Sequence, residues 1–370
     1  MKIAFIGQKG IPSRAGGVEI HVEEIAKRLV ARGHEVTVYC RDSYCNNKFE
    51  VYEGIQLKYI KSINTKHLDA ITYAFQATID VMKSDYDIIH YHALGPSLMA
   101  FLPKIFKNKV VCTCHGLDWQ REKWGKFAKF SLKLGEKMSV LFSDQLISVS
   151  KNIEEYFKDK YKKEAIYIPN GVERKQKRRV NLIQTKFGLE SEEYLLFLAR
   201  LVPEKGAHYL IEAFKGLDTN KKLVIAGGNS HSREYINSLH LQVEEDQIEN
   251  IIFTGFVEGE ILEELFSNAY MYILPSEIEG LPISLLEALA YGQCCVVSNI
   301  QENIDVIEEA GVHFKSKSVS DLRKKLNYLI ENNDILKSYK DNAEAFVLNK
   351  YNWDDITVQT ERVYLSLKES

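Results

Sequence analysis

The stretch Met271-Tyr-Ile-Leu-Pro-Ser-Glu-Ile-Glu-Gly-Leu-Pro-Ile-Ser-Leu-Leu-Glu-Ala-Leu-Ala-Tyr-Gly292 contains an apolar strand, a turn with glycine and proline, and a helix. Glu279 lies in the turn, and Glu287 lies about one turn into the helix. A carboxylate accepts two hydrogen bonds side by side, which suits a vicinal diol. The helix start near Ile283 has free backbone N–H groups, which suit a phosphate. The stretch therefore predicts hydroxyl sites on both sides of a phosphate site, as in a nucleotide sugar. The alternative is an ordinary amphipathic helix whose Glu287 faces solvent.

Similar strand–helix pairs recur along the chain of 370 residues. Because helical patterns separate most of the strands, the alternation predicts two α/β domains with doubly wound parallel sheets. Predicted strands are 2–7, 35–40, 55–60, 88–91, 110–114, 145–149 and 165–168, then 194–199, 222–226, 250–254, 271–274 and 294–298. We predict a first domain over 1–168, a second over 169–350 and a terminal helical segment over 351–370, with an interdomain link at 173–180.

The composition is that of an ordinary globular protein, with 45% hydrophobic and 27% charged residues. No apolar run is long enough to span a membrane, and the six cysteines lack CxxC spacing. We therefore expect reduced thiols, no zinc site and a cytoplasmic location. Residues 1–165 carry 26 Lys and Arg against 19 Asp and Glu, whereas residues 166–370 carry 22 against 32. The basic first half suits an anionic partner such as a diphosphate lipid or membrane surface, and no nucleic-acid motif is present.

A second candidate site lies in Leu198-Ala-Arg-Leu-Val-Pro-Glu-Lys-Gly206, where a predicted strand ends at Ala199 and a helix opens at Lys205-Gly206. Ligands of doubly wound sheets bind outside the carboxyl ends of the strands. Arg200 and Lys205 would be there to neutralise a diphosphate, the guanidinium as a fork and the ammonium as a point charge. The alternative is a pair of solvated loop charges.

The N-terminal loop, Gly7-Gln-Lys-Gly-Ile-Pro-Ser-Arg-Ala-Gly16-Gly17, lacks the GxGxxG spacing of a dinucleotide site. Gly16 and Gly17 precede a helix and would let the backbone approach a phosphate or an acceptor. Glu19 and His21 either face an acceptor or are simply first-turn helix residues.

Together these motifs resemble the retaining family 4 glycosyltransferases of the GT-B fold. The two glutamates separated by seven residues, with Gly-Leu-Pro between them, resemble the family's donor-site motif. Gly-Gly-Val-Glu-Ile-His-Val-Glu-Glu, followed by Arg-Gly-His-Glu-Val, is similar to the family's opening. The variant Gly10-Ile-Pro-Ser-Arg-Ala-Gly-Gly17 is similar to a branch with bacterial rhamnosyltransferases of capsule and wall polysaccharides. Asn170-Gly-Val172 resembles a motif near the family's hinge, without an assigned role.

The resemblance implies two Rossmann-like domains facing across a cleft, with the last helix crossing back onto the first domain. It implies catalytic roles for Arg200, Lys205, Glu279 and His115. Donor-binding residues would be Gly16, Gly17, Phe256, Val257, Gly280, Leu281, Ile283, Leu285 and Glu287. Acceptor-side residues would be Glu19, His21 and His92. Phe253-Thr-Gly-Phe-Val257 resembles the segment that cups the nucleotide base, although its pattern also fits core and turn.

Metal binding is not expected. His90 and His92 share one face of a strand, but no third ligand is evident nearby in the sequence. Asp85-Tyr-Asp87 has the DxD spacing of metal–diphosphate sites, yet it precedes its strand and is interpreted as a surface turn. Since Arg200 and Lys205 already meet the charge of a diphosphate, we predict activity without a divalent metal or other cofactor.

A basic amphipathic helix is predicted between Trp119 and Phe142. Its apolar positions at helical spacing are Trp124, Phe127, Ser131, Leu134, Met138 and Leu141. Its basic residues are Arg121, Lys123, Lys126, Lys129, Lys133 and Lys137, and Lys104, Lys107 and Lys109 extend the set. Either the apolar side packs on the domain core with the lysines in water, or the lysines and tryptophans also contact anionic lipid.

The sequence as a whole favours a retaining glycosyltransferase. It would move a sugar, with L-rhamnose as one candidate, from a UDP-, GDP- or dTDP-sugar to a lipid-linked glycan in cell-surface polysaccharide synthesis. Two alternatives remain: a nucleotide-sugar epimerase of the GT-B type, and a non-catalytic nucleotide-sugar-binding subunit. An NAD-dependent oxidoreductase is disfavoured because its fingerprint is absent.

Overall fold

The computed structural model describes residues 1–13, 16–45, 48–63, 69–121, 124–228 and 233–369. The chain forms two compact units. The first contains Met1–Gly171 together with Trp353–Ser370, and the second contains Val172–Asn352. The sequence analysis drew these boundaries at 168 and 350, a few residues earlier in each case.

The first unit is built on an eight-stranded sheet with the order β3-β4-β2-β1-β5-β6-β7-β8. The strands are β1 (Lys2–Ile6), β2 (Glu35–Arg41), β3 (Val51–Tyr52), β4 (Ile55–Ile60), β5 (Ile88–His92), β6 (Val110–Cys114), β7 (Gln145–Ser148) and β8 (Ile166–Tyr167). All neighbours are parallel except the edge pair of β3 and β4. The helices are α1 (Gly17–Ala31), α2 (Asp69–Val81), α3 (Phe101–Ile105), α4 (Lys126–Phe142) and α5 (Lys151–Tyr161).

The second unit contains a six-stranded, fully parallel sheet with the order β11-β10-β9-β12-β13-β14. Its strands are β9 (Tyr194–Leu198), β10 (Lys222–Ala226), β11 (Ile251–Gly255), β12 (Met271–Leu274), β13 (Cys295–Ser298) and β14 (Val312–Phe314). The helices are α6 (Leu182–Phe187), α7 (Ala207–Phe214), α8 (Arg233–Glu245), α9 (Gly259–Asn268), α10 (Ile283–Ala290), α11 (Gln301–Ile307), α12 (Val319–Glu331) and α13 (Asn333–Lys350).

The final helix, α14 (Trp353–Glu369), belongs to the first unit and packs on α1. Trp353 is buried and lies directly over Gly171, where a side chain would collide with the indole ring. The Nε atom of Arg28 donates to Asp354 at 2.8 Å, and Arg32 donates to Glu361. An apolar anchor and two ion pairs therefore hold the end of the chain on the first unit.

Each sheet has one point where the strand order reverses. In the first unit this lies between β1 and β5, and in the second it lies between β9 and β12. The loops that follow these strands diverge to opposite faces of the sheet, so a crevice opens at the carboxyl ends, where doubly wound proteins bind ligands. The predicted fold class is confirmed for both units.

The sequence analysis missed two short strands, β3 and β14, because neither shows a sustained period of two. It also began α7 at Lys205, whereas Pro203–Lys205 is a turn of 3₁₀ helix and α7 begins at Ala207. The segment predicted as a link, 173–180, belongs to the second unit, where the backbone N–H of Arg178 donates to Ser267 at 2.9 Å.

Candidate functional site

Two loops of the second unit meet at its reversal point, one after β9 and one after β12. The backbone N–H of Glu277 donates to the carbonyl oxygen of Glu204 at 2.8 Å. Gly206 has a φ of +72°, and a Cβ there would collide with the carbonyl oxygen of Pro275. Only glycine allows both this left-handed conformation and this close approach. Backbone contacts therefore fix the two loops that carry the predicted cations and carboxylate.

Lys205 and Glu279 form an ion pair across these loops. Their side chains are 13% and 7% exposed, so the pair is largely removed from water. The hydroxyl of Ser276 donates to the same carboxylate oxygen at 2.7 Å. The sequence analysis assigned Lys205 to a diphosphate and Glu279 to a sugar without foreseeing that the two side chains bind each other.

Arg200 lies directly after β9, at the start of the same loop, and is half-buried. Its carbonyl oxygen accepts from the N–H of Val202 at 3.0 Å, which begins the tight turn that leads to Pro203–Lys205. The two predicted cations are thus brought to the carboxyl end of one strand, five residues apart.

Glu287 lies on α10, the helix that starts after the Glu279 loop. Pro282 caps this helix and has no N–H. Its carbonyl oxygen accepts from the amides of Leu285 and Leu286, whereas the amides of Ile283 and Ser284 precede the first intrahelical acceptor. Glu287 is 16% exposed and lies 3.5 Å from the Nζ atom of Lys175. Hence Glu287 is not a solvated helix residue, and its partner comes from the segment predicted as a link.

Tyr272 on β12 connects these groups. Its hydroxyl donates to the carbonyl oxygen of Leu198 at 3.1 Å and lies 2.9 Å from the hydroxyl of Ser284. Burial raises the pKa of Tyr272 well above its usual value, and the negative charges of Glu279 and Glu287 raise it further. Tyr272 is therefore a neutral phenol that joins the end of β9 to the first turn of α10.

The remaining predicted donor residues of this unit lie on the same edge of the sheet. Gly280, Leu281, Ile283 and Leu285 are buried at the start of α10. Phe256 follows β11 and is 53% exposed, with Val257 half-buried beside it. The aromatic ring of Phe256 is thus exposed at the carboxyl end of β11, two strands from β9.

At the reversal point of the first unit lies a cluster of three imidazoles, His21, His92 and His115, which we call the histidine cluster. Nδ1 of His92 lies 3.1 Å from Nε2 of His115, and the ring centroids of His21 and His115 are 4.7 Å apart. One ring nitrogen from each residue lies within 4.8 Å of the other two. Desolvation lowers the pKa of His21 to about 4 and the pKa values of His92 and His115 well below the usual value. All three rings are therefore neutral near pH 7.

His90 has a different environment from His92, although both lie on β5. Its Nδ1 lies 2.6 Å from the hydroxyl of Tyr364, and its Nε2 lies 2.7 Å from the hydroxyl of Thr113. Both nitrogens thus serve the packing of α14 and β6 on the sheet. The sequence analysis paired His90 with His92 and found no third histidine, because His21 and His115 come from α1 and from the loop after β6.

The N-terminal loop is held by α1 itself. Glu19 is buried, and its Oε1 accepts from the backbone N–H of Lys9 at 2.9 Å. Gly16 precedes α1, Gly17 begins it, and a side chain at Gly16 would collide with the carboxylate of Glu19. Glu19, predicted on the acceptor side, is therefore engaged with its own loop. Two residues of the quoted loop, Arg14 and Ala15, lie outside the described part of the chain.

Asp87 lies at the amino end of β5, far along the strand from the histidine cluster. It accepts from the backbone N–H of Lys2 at 2.7 Å and pairs with Lys368. These contacts fit the interpretation of Asp85-Tyr-Asp87 as a surface turn.

The expected packing of α4 is wrong. The buried residues of α4 are Gly135, Glu136 and Ser139, and a side chain at Gly135 would collide with the carbonyl oxygen of Leu94. Of the predicted apolar positions, Phe127 and Leu141 are 67% and 58% exposed, and Trp124, Ser131, Leu134 and Met138 are only half-buried. Lys123, predicted to join the basic residues, lies outside the described residues.

The contacts of Glu136 explain why α4 buries a different face from the predicted one. Glu136 is fully buried and accepts from Trp119 at 2.6 Å, from Tyr156 at 2.8 Å and from Tyr161 at 2.6 Å, and it also pairs with Lys160. A carboxylate with four donors is stable in the interior, whereas an unsatisfied one is not. Gly135, Glu136 and Ser139 therefore form the buried face of α4, and Phe127 and Phe130 remain on the surface.

Comparison with known proteins identifies the two halves of the chain. Residues 15–176 match the family described as Glycosyltransferase Family 4, and residues 180–346 match Glycosyl transferases group 1. The protein has the two domains of a GT-B glycosyltransferase. The break between the two matches falls close to the boundary of the units at Gly171.

Relatives of this glycosyltransferase cover nearly its whole length. An uncharacterized glycosyltransferase of Methanocaldococcus jannaschii, MJ1607, is 29% identical, with 98% of each chain covered. An N,N'-diacetylbacillosaminyl-diphospho-undecaprenol alpha-1,3-N-acetylgalactosaminyltransferase of Campylobacter jejuni is 26% identical, over 87% of this chain and 83% of the relative. The crystal structure of Anabaena Alr3699/HepE in complex with UDP-glucose aligns with a TM-score of 0.83 and 19% identity, over 99% of this chain and 100% of that one. The glycosyltransferase assignment is thus confirmed at the level of fold and enzyme class.

Among the described residues, no helix is both long and apolar enough to cross a membrane.

Proposed function

We propose that this glycosyltransferase moves a sugar, with retention of anomeric configuration, from a nucleoside-diphosphate donor to a lipid-linked glycan acceptor. The observation that carries the proposal is the group of charged side chains at the reversal point of the second sheet. There Arg200, Lys205, Glu279 and the start of α10 lie on two loops that backbone contacts lock together. Fixed cations and a helix start favour the charge that develops on a departing diphosphate.

The Lys205–Glu279 ion pair gives this crevice a specific first step. An arriving diphosphate offers Lys205 a second anion, so the ammonium can bridge phosphate and carboxylate. Glu279, still hydrogen-bonded to Ser276, then has its other oxygen directed to the hydroxyls of the sugar. Arg200, Lys205 and the dipole of α10 supply the positive charge that other enzymes obtain from a metal ion, and we propose that transfer needs no divalent metal.

Retention follows from attack on the same face of the sugar. The acceptor oxygen forms its bond to the anomeric carbon as the bond from that carbon to the phosphate oxygen breaks. The acceptor proton passes to the departing phosphate oxygen. A carboxylate already bound by Lys205 and Ser276 is a weak nucleophile, and we assign Glu279 a positioning role rather than a covalent one.

On the first unit, His115, His21 and His92 offer neutral ring nitrogens to substrate hydroxyls, and Gly16 and Gly17 start a helix beside them. Since these rings carry no charge near pH 7, they bind by hydrogen bonding rather than by charge.

The donor is identified by a thermal-shift screen with UDP-, GDP- and dTDP-sugars that includes dTDP-L-rhamnose, followed by a transfer assay in excess chelator. We expect one nucleotide sugar to stabilise the protein and to be consumed only when a glycan acceptor is present. Epimerised sugar from donor alone would favour the epimerase alternative. Binding without any turnover on lipid-linked acceptors would favour the non-catalytic subunit. Activity lost in chelator and restored by magnesium would overturn the metal-independent mechanism.

We propose further that α4 binds an anionic membrane surface at the cytoplasmic face, where a lipid-linked acceptor resides. Phe127 and Phe130 are each 67% exposed, and Ile105 and Phe106, at the end of α3, are each 66% exposed. Such a set of large apolar side chains on one surface is unusual in a protein that keeps it in water. Lys126, Lys133 and Lys137 flank the same outward side of α4 and complement anionic headgroups.

Cosedimentation with vesicles of phosphatidylglycerol or of phosphatidylcholine alone tests this surface. We expect binding to the anionic vesicles that weakens as salt rises, and that is lost in Phe127→Ser/Phe130→Ser. Leu241→Ser, on α8 of the second unit, is a matched control because Leu241 is also exposed, at 52%. Equal binding to both lipids, or equal losses in both variants, would contradict the proposal.

A further inference from the structure

We propose that the histidine cluster is a binding site for a transition-metal ion of the Zn²⁺ type, and that the bound ion blocks the reaction. The ligands are one ring nitrogen each from His21, His92 and His115. The blocking effect rests on the proposed function, because it requires these rings to contact substrate. The site itself does not depend on that function.

The three rings come from separate elements that converge on one point. His92 is the last residue of β5, His115 follows β6, and His21 lies in the second turn of α1. Within the described residues this is the only group of three or more histidine, cysteine or acidic residues whose ligand atoms lie this close together. No carboxylate belongs to it, so the site would prefer ions that favour imidazole over ions that favour oxygen, such as magnesium.

The distances suit a metal that draws the rings together. Two nitrogens bound to tetrahedral zinc at about 2.1 Å are about 3.4 Å apart. The Nδ1 atom of His92 and the Nε2 atom of His115 are already 3.1 Å apart, and one ring nitrogen from each of the three residues lies within 4.8 Å of the other two. The ring nitrogens would therefore need to approach one another by at most about 1.4 Å to bind zinc at that bond length.

Asn170 is a positioning residue that orients the ring of His21. The Nδ1 atom of His21 lies 2.9 Å from the Oδ1 atom of Asn170, which can only accept a hydrogen bond. The ring therefore carries its proton on Nδ1, and Nε2 keeps its lone pair. Metal-binding histidines are typically oriented in this way by an oxygen acceptor on the far nitrogen.

His92 differs from a core histidine in one respect. Its Nε2 is buried and has no hydrogen-bond partner among the residues that the structure describes, and its Nδ1 faces another imidazole. His90, two residues earlier, has both nitrogens bound. Hydrogen bonds to Tyr364 and Thr113 thus explain the orientation of the His90 ring. The ring of His92 is oriented towards the other histidines of the cluster.

The site is tested on tag-free, chelator-washed protein without substrate. We expect Co²⁺ to give the visible absorption of an imidazole-bound ion, Zn²⁺ to displace it, and equilibrium dialysis to find one ion per chain. His115→Gln and His21→Gln should abolish the spectrum, and His313→Gln should not, since His313 is exposed on β14. Thermal unfolding of the metal-free variants shows whether they are folded. Absence of stoichiometric binding, or an unchanged spectrum in both cluster variants, would overturn the site.

Asn170→Ala separates the positioning role and the blocking effect from folding. The loss of the acceptor behind His21 should weaken Zn²⁺ binding by about 10–100-fold. Zn²⁺ should inhibit transfer by the unmodified enzyme, and the inhibitory concentration should rise by the same factor in Asn170→Ala. An inhibitory Zn²⁺ concentration that is the same in Asn170→Ala and in the unmodified enzyme would overturn the blocking role. Failure of the proposed function would instead appear as a lack of transfer in metal-free protein, whatever the dialysis shows.

Discussion

The two units place different kinds of side chain at the same edge of a parallel sheet. At the reversal point of the second unit, Lys205 and Glu279 form an ion pair that is largely buried. At the reversal point of the first unit, two buried imidazoles and a half-buried one lie together without charge. Sheet topology therefore determines where such groups can meet, whereas the residues after each strand determine whether the group is charged or neutral.

The largest effect is expected from Arg200→Ala. If the guanidinium stabilises the departing diphosphate, its removal should lower kcat by about 10²–10³-fold, as for other preorganised transition-state contacts. Steady-state kinetics with the identified donor measure this change. Arg174→Ala is the matched control, since the side chain of Arg174 is 79% exposed and pairs only loosely with Glu344 at 3.5 Å. Near-normal turnover in Arg200→Ala would show that this guanidinium does not stabilise the departing diphosphate.

Acid should act on the first unit through the histidine cluster. Burial holds the pKa of His21 at about 4 in the folded protein, below the value of about 6.5 in the unfolded chain. The unfolded state therefore binds more protons between pH 6.5 and pH 4, so the stability that the neutral ring confers is present above that window and lost as pH falls through it. The pKa values of His92 and His115 shift in the same direction and add to the loss.

Thermal unfolding from pH 7 to pH 4.5 measures this dependence. The unmodified protein should lose up to about 3 kcal/mol more than His21→Gln, whose side chain does not titrate. His313→Gln, at an exposed position, should follow the unmodified protein. Parallel curves for all three proteins would mean that the cluster is not buried and neutral in solution.

Glu287→Ala should have a smaller and different effect. If Glu287 holds the hydroxyls of the nucleoside, its loss should raise KM for the donor by about 10-fold and leave kcat nearly unchanged, because the contact is the same in ground state and transition state. Donor titrations in the transfer assay separate the two constants. A fall in kcat at constant KM would instead assign Glu287 to the reacting centre.

The charged site was largely predictable from the sequence, because its residues lie in two short segments whose spacing is itself informative. Arg200 and Lys205 follow one strand, and Glu279 and Glu287 follow another, so strand–helix alternation places all four at one sheet edge. The histidine cluster was not predictable in the same way. Its members are separated by long segments, and whether a histidine faces its neighbours depends on packing, as His90 and His92 demonstrate.

The buried face of α4 was likewise not predictable from the sequence. Helical periodicity predicts that its apolar stripe faces the core, yet Phe127 and Leu141 are exposed and the other positions of the stripe are only half-buried. A single buried glutamate with four donors and a glycine at the contact with Leu94 outweigh the stripe. Hydrophobic pattern predicts the buried face only when no polar network competes for it.

The smallest effect compares two glycines of the second unit. Gly206 and Gly188 have nearly the same backbone conformation, with φ of +72° and +61°. A side chain at Gly188 would meet nothing within 4 Å, whereas one at Gly206 would collide with the carbonyl oxygen of Pro275. Gly188→Ala should therefore cost only the strain of the left-handed conformation, about 1 kcal/mol. Gly206→Ala adds a collision that forces the two site loops apart, and it should lower the donor affinity as well as stability.

Thermal unfolding and donor titration of both variants separate these terms. If the two alanines cost the same and leave donor binding equal, the close contact of the loops is not what shapes the charged site.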